Sequence, residues 1–331
     1  MTAGDPVRIG TLGAARITPV ALTKPARRIE GATVVGVAAR DRARATEFAS
    51  KHGIPQVFDS YEALIESPDI DAIYNPLPNG LHAEWTLAAI AAGKHVLCEK
   101  PFTNNAAEAR MVAEAAAAKP ELVVMEAFHY RYHPFAEQMR AVAAGTELGR
   151  VEHVETWVSF PLFRFNDIRY RYDLGGGAMM DAGCYATHIA RLLAGGEPTV
   201  TGATAKRRGP DVDRAMKVDV TFPSGATGRI NCSMWSTSLL HVEARVRGDR
   251  GEMRVRNPIA PHMFGRLTVK ANGTKRRERA AKRPTYEYQL EAFCAAVRER
   301  APILTPPADS IANMTVIDAA YIAAGMKPRG T

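Results

Sequence analysis

Hydrophobic and polar positions follow two different rhythms along this chain. In the first part, residues 7–12 read as a buried strand, and short runs at 33–39, 56–58, 71–74, 95–98 and 122–126 read as further strands. Between them, residues 19–29, 42–52, 61–65, 81–92 and 106–118 carry apolar side chains at helical spacing, with Asp41 placed to cap the second helix. Such alternation predicts a parallel, doubly wound sheet. From residue 151 the period shortens to two. Residues 151–160, 217–222, 227–234, 242–247, 252–256 and 267–270 alternate apolar and polar, with turn signals at Pro223-Ser224-Gly225 and Asn272-Gly273. These predict a largely antiparallel sheet, with helices at 181–193, 286–298 and 308–325. The expected division is 1–127 and 128–331.

A length of 331 residues suits two domains. The net charge of +8 raises nucleic-acid binding as a question. The basic residues scatter along the sequence, however, and the densest run, Lys275-Arg276-Arg277-Glu278-Arg279, reads as a strand-connecting loop. An anionic small-molecule cofactor would also draw on positive charge, so no nucleic acid is expected. No apolar run is long enough to span a bilayer, and the first residues lack the basic and apolar regions of a signal peptide. Cys98, Cys184, Cys232 and Cys294 lie far apart with no Cys-x-x-Cys pair, which argues against a zinc site and a disulfide framework. No metal and no membrane partner are expected, and the cysteine usage fits a cytoplasmic location.

Candidate chemistry gathers where strands end, which is where parallel sheets bind their ligands. After the first strand comes Gly13-Ala14-Ala15-Arg16-Ile17-Thr18, in which Gly13, Ala15 and Thr18 take the three glycine positions of a dinucleotide-binding turn. Gly13 supplies the tight turn, Ala15 still lets backbone approach a pyrophosphate, and the helix start offers a positive dipole end. The second strand ends in Arg40, where a free ribose 2′-hydroxyl calls for a carboxylate. A guanidinium there clasps a 2′-phosphate, and Arg44 lies one turn further on. NADP is therefore expected over NAD, with Asp41 left as an alternative ribose contact. Lys100 ends another strand in Cys98-Glu99-Lys100-Pro101 and can hold charge against a cofactor or lower the pKa of a nearby hydroxyl.

Five motifs fall in order: Gly13-Ala14-Ala15-Arg16-Ile17, Asn75-Pro76-Leu77-Pro78-Asn79-Gly80-Leu81-His82, Cys98-Glu99-Lys100-Pro101, Met125-Glu126-Ala127-Phe128, and the segment from Gly175 to Tyr185. In these the chain resembles the Gfo/Idh/MocA oxidoreductases, above all the branch of NADP-dependent D-xylose dehydrogenases and dimeric dihydrodiol dehydrogenases. The resemblance implies an N-terminal Rossmann domain and a C-terminal α/β domain whose large open sheet joins subunits of a homo-oligomer. It implies cofactor contacts from Gly13, Ala15, Arg16, Ile17, Arg40, Arg44, Tyr61, Pro76, Leu77, Asn79, His82, Glu99, Lys100 and Arg169. Tyr61 could equally serve packing, and His82 could equally cap its own helix. Lys100 is expected beside the nicotinamide. Asp181 and Tyr185 are four apart and share a helix face. Tyr130, Arg131 and His188 are candidate substrate contacts.

The implied reaction moves a hydride between a hydroxyl carbon of a sugar or cyclic polyol and the nicotinamide. Tyr185 takes the hydroxyl proton with help from Lys100, or Lys100 is itself the base and Tyr185 a hydrogen-bond donor. Oxidation of a trans-dihydrodiol by the same residues is an alternative. A non-catalytic NADP-binding regulator is the rival from another class.

Overall fold

The structure is a computed structural model that describes residues 4–164, 166–235 and 239–331. Residues 1–3, read above against a signal peptide, lie outside the described part. The chain forms two compact units. The first comprises Met1–Thr103, Ala107–Tyr132 and Tyr286–Ile311, and the second Asn104–Ala106, His133–Thr285 and Ala312–Thr331.

Six parallel strands build the first unit: β1 (Val7–Leu12), β2 (Ala32–Ala38), β3 (Gln56–Phe58), β4 (Ala72–Asn75), β5 (His95–Cys98) and β6 (Val124–Glu126). Their order is β3-β2-β1-β4-β5-β6, so the direction of winding reverses between β1 and β4. Central strands are buried on both faces, which is why they read as nearly continuous apolar runs. The helices are α1 (Lys24–Ala26), α2 (Arg42–His52), α3 (Tyr61–Glu66), α4 (His82–Ala91) and α5 (Ala106–Ala117). The helix expected over 19–29 is instead a π-turn, Pro19–Thr23, running into the three residues of α1. Pro25 has no amide proton to give to Ala21, and the Lys24 amide reaches back five residues to the Pro19 carbonyl.

The second unit carries α6 (Pro134–Ala144), α7 (Cys184–Ala194) and α8 (Pro261–Phe264) with eight strands. These are β7 (Val151–Ser159), β8 (Thr199–Arg208), β9 (Val212–Thr221), β10 (Thr227–Ser233), β11 (His241–Gly248), β12 (Gly251–Arg256), β13 (Arg266–Ala271) and β14 (Thr274–Arg279). The order is β14-β13-β12-β11-β7-β10-β9-β8, with β7 and β10 parallel and the other neighbours antiparallel. The run 275–279 is thus edge strand β14 and not a loop. It pairs with β13 across a turn in which Asn272 and Gly273 both take positive φ. Pairing also undoes the scatter of charge. Arg245, Arg247, Arg254, Arg256, Arg266, Lys270, Lys275 and Arg277 line one shallow groove on the sheet, against only Glu155 and Glu252.

Helix α9 (Thr285–Glu299) follows, and α10 (Pro307–Ala323) is the last. Leu290, Phe293 and Cys294 of α9 belong to the same buried cluster as Val7, Ile9, Tyr74 and Leu97. The chain therefore returns to the first unit after residue 285, and a single cut at residue 127 does not describe it. An amphipathic helix carries no sequence mark of which sheet it covers. No helix among the described residues is long and apolar enough to cross a membrane.

Candidate active site

Three loops leave the carboxyl ends of β1, β4 and β5, on both sides of the point where the winding reverses, the usual ligand position in such sheets. In the first, Gly13 has φ +78° and donates its amide to the Ala38 carbonyl at 2.6 Å. A Cβ at Gly13 would lie 3.1 Å from a methyl of Leu77, so the first two loops close on each other there. Ala14 and Ala15 stay partly exposed, Arg16 is exposed, and Ile17 packs against the core. The Thr11 and Thr18 hydroxyls are buried without a hydrogen-bond partner, and both flank this turn.

Arg44 donates from Nη2 to the Ala14 carbonyl at 3.2 Å, which brings its guanidinium over the turn. Exposed Arg40 lies two residues past the end of β2. Burial pushes the Tyr61 phenol up, opposed by the charges of Arg40 and Arg44 and by an Arg40 backbone hydrogen bond. The three residues therefore converge beside Gly13. Tyr61 also meets Trp85 edge-on at 4.8 Å. Asp41 accepts from the Arg44 amide through one carboxylate oxygen, as the cap of α2.

In the second loop Pro76 and Leu77 are buried, and Asn79 opens a short 3-10 turn, Asn79–Leu81. His82 is 1 % exposed, and both ring nitrogens lie 2.7 Å from backbone carbonyls: Nε2 from Leu77 and Nδ1 from Pro101. Both ring nitrogens are thus engaged by backbone. His82 joins the loop after β4 to the loop after β5. In that third loop Glu99 is buried and accepts from the Tyr74 hydroxyl at 2.8 Å and from the Lys100 amide at 3.3 Å. Lys100 is half-buried and precedes a cis peptide bond to Pro101. Tyr130 exposes none of its surface and meets Phe128 edge-on at 6.4 Å. Arg131 is half-buried.

In the second unit, Asp181 sits in a π-turn, Met179–Gly183, that runs into α7. Such turns recur at functional sites. Arg169 Nε lies 2.8 Å from Asp181 Oδ2 and Nη1 3.2 Å from Asp167 Oδ1. Asp181 first, then Asp167, hold the guanidinium firmly charged. Arg169 was expected at the cofactor, and its observed partner is the candidate catalytic carboxylate. Tyr185 and His188 follow on α7, buried at 7 % and 4 % exposure. Sequence reading missed the Tyr74–Glu99 bond and the Arg169–Asp181 pair, because neither strand position nor loop position announces a partner that far away.

A glycine-turned parallel sheet with a lysine at the third loop, and a second unit bearing an acid in a π-turn and a tyrosine on the helix that follows, define a two-domain Rossmann oxidoreductase. Residues 7–128 match the oxidoreductase family with an NAD-binding Rossmann fold, and residues 136–254 match the GFO/IDH/MocA C-terminal domain. The chain belongs to the Gfo/Idh/MocA oxidoreductase family. It is 37 % identical over 94 % of its length, and 95 % of the relative's, to D-xylose 1-dehydrogenase (NADP(+)) 2 of Haloferax volcanii. It is 37 % identical to the trans-1,2-dihydrobenzene-1,2-diol dehydrogenase of Sus scrofa, over 68 % of this chain and 66 % of that one. Among solved structures, the 3-ketoreductase KijD10 from Actinomadura kijaniata, in complex with NADP and TDP-benzene, has a TM-score of 0.88 at 27 % identity, over 96 % of this chain and 98 % of that one.

Proposed function

We propose that the protein is an NADP-dependent dehydrogenase acting on the CH–OH group of a sugar or cyclic polyol. The observation that carries this reading is the pairing of Arg44 with the Ala14 carbonyl beside Arg40. Two guanidinium groups at the end of β2, with the neighbouring Asp41 carboxylate capping α2 through one oxygen, suit a 2′-phosphate. The turn also fits a pyrophosphate: Gly13 holds a left-handed conformation, Ala14 and Ala15 leave backbone accessible, and the Thr11 and Thr18 hydroxyls lack partners.

NADP, when bound, supplies the acceptor or donor of the hydride. The chain's own residues handle the proton and the orientation. Tyr185 Oη takes the hydroxyl proton as the carbinol carbon is oxidised and returns it in the reverse direction. The Lys100 ammonium, assigned to the same substrate, stabilises the phenolate and so lowers a pKa ordinarily near ~10. In the second version Lys100 Nζ takes the proton and Tyr185 donates a hydrogen bond. Asp181, oriented by Arg169, holds a second substrate hydroxyl or the lysine. The likeness to D-xylose dehydrogenase supports the sugar, and the likeness to the dihydrodiol dehydrogenase supports a trans-dihydrodiol as the second reading. Self-association through the eight-stranded sheet of the second unit completes the proposal.

Steady-state oxidation of D-xylose, D-glucose and a trans-dihydrodiol with NADP, followed at the reduced-nicotinamide absorbance, tests the reaction. Turnover of a sugar, abolished in Tyr185→Phe or Lys100→Met, is the expected result. No turnover of any of the three overturns both readings.

A further inference from the structure

The second unit holds an ion pair that the reaction above leaves unused. Arg329, Asp213 and Tyr321 are each 0 % exposed. Arg329 Nη2 lies 2.8 Å from Asp213 Oδ1, which also accepts from the Tyr321 hydroxyl at 2.8 Å. The guanidinium stacks over the Tyr321 ring at 4.1 Å and the Tyr172 ring at 5.0 Å. A charge this deeply buried is costly unless every donor and acceptor is met.

What the pair holds is the backbone leading into Asp181. Arg329 Nε donates to the Gly176 carbonyl at 2.6 Å, and Asp213 Oδ2 accepts from the Met179 amide at 2.7 Å. Gly177 donates to the Arg169 carbonyl at 2.9 Å, and the Asp181 amide donates to the Gly177 carbonyl at 3.0 Å. The glycines are required by this approach. A Cβ at Gly177, whose φ is +142°, would fall on Asp213 Oδ1 and lie 2.8 Å from Arg329 Nη2. A Cβ at Gly176 would lie 2.6 Å from the Arg169 and Arg171 carbonyls. The same glycine run therefore carries both partners of the Arg169–Asp181 pair.

We propose that Arg329 and Asp213 are positioning residues that fix the backbone from Gly176 to Met179 and thereby set Asp181 and Arg169 in their working geometry. Neither touches substrate or cofactor. The pair holds the Gly176 carbonyl just before the π-turn and the Met179 amide at its start. Their effect on turnover rests on the dehydrogenase reading. Their effect on the segment does not.

The test uses the full chain in two assays. In the first, hydrogen–deuterium exchange is read on peptides covering residues 175–185 and, as a control, 42–52. Arg329→Lys, Asp213→Asn and the charge-neutral double variant Asp213→Asn/Arg329→Met are compared with the parent. Exchange of the 175–185 amides at least ~10-fold faster, with the control unchanged, is expected. In the second, kcat for the best sugar falls about a hundredfold in Arg329→Ala. The sugar KM and NADPH affinity stay within about threefold, and added guanidinium restores kcat. A merely structural role would lower the active fraction without guanidinium rescue. Unchanged exchange at 175–185 in all three variants overturns the proposal. So does full kcat in a variant whose exchange there is accelerated. A parent without turnover on any sugar or diol refutes the dehydrogenase reading alone, since the exchange assay still decides the positioning role.

Discussion

Arg169 Nε and Asp181 Oδ2 lie 2.8 Å apart, joining a short 3-10 turn to the π-turn that leads α7. Arg169 is 43 % exposed and Asp181 14 %. The carboxylate is thus the more enclosed partner and depends more on the pair. Solvent screening at the arginine holds the interaction to ~1 kcal/mol or somewhat above. Arg169→Met is expected to lower kcat/KM for the sugar about tenfold while leaving NADPH affinity within about threefold. Steady-state kinetics with fluorescence titration checks this. A loss of NADPH affinity with kcat intact would return Arg169 to the cofactor.

His82 links the Leu77 and Pro101 carbonyls from a fully buried position. Burial first, and the nearby Lys100 charge, push its pKa down to about 4. At neutral pH the ring is uncharged and donates one N–H. A second proton would serve the second carbonyl but must be buried. Because the folded pKa lies below the unfolded value of ~6.5, the unfolded chain binds the proton more tightly in between. This contribution to stability is full above ~6.5 and falls as the pH drops towards 4. Thermal unfolding from pH 7.5 to 4.5 is expected to show a declining midpoint, with a shallower decline in His82→Phe. The same variant, having lost its donor to the loops, is expected to be ~1–3 kcal/mol less stable at pH 7.5. Equal pH slopes in parent and variant would contradict this role.

Arg256, Arg266 and Arg279 stand directly opposite one another on β12, β13 and β14. Like charges in such a row repel. Arg266→Glu turns two repulsive neighbours into attractive ones and is expected to raise stability by ~0.5–2 kcal/mol, more at low salt than at high. Urea unfolding at two salt concentrations checks it. A stability loss at low salt would contradict the charge account.

Much of this architecture is written in the chain's periodicity. The strand at 56–58 and the helix at 42–52 coincide with β3 and α2, because a short β-prone run and an aspartate cap are local signals. β8 escaped because Thr-Val-Thr-Gly-Ala-Thr-Ala has no apolar alternation to read, and a half-exposed edge strand needs none. β14 escaped because five charged residues in succession look like solvent-exposed loop. Gly13, Arg40, Lys100, Asp181 and Tyr185 stand out as candidates from strand ends and motif order. His82 was visible only as a polar residue, since its carbonyl partners lie in two separate loops. The Arg329–Asp213 pair joins residues 116 apart and left no pattern in the sequence.

Arg40 and Arg44 are proposed to hold the 2′-phosphate of NADP. Fluorescence titration of the purified protein with NADPH and NADH, in the parent and in Arg40→Ala, tests this most directly. Loss of charge-assisted bonds to a 2′-phosphate corresponds to ~1.5–3 kcal/mol. NADPH binding at least tenfold tighter than NADH in the parent, with the preference lost in Arg40→Ala, is the predicted result. Equal binding of the two, or a preference for NADH, would contradict the account.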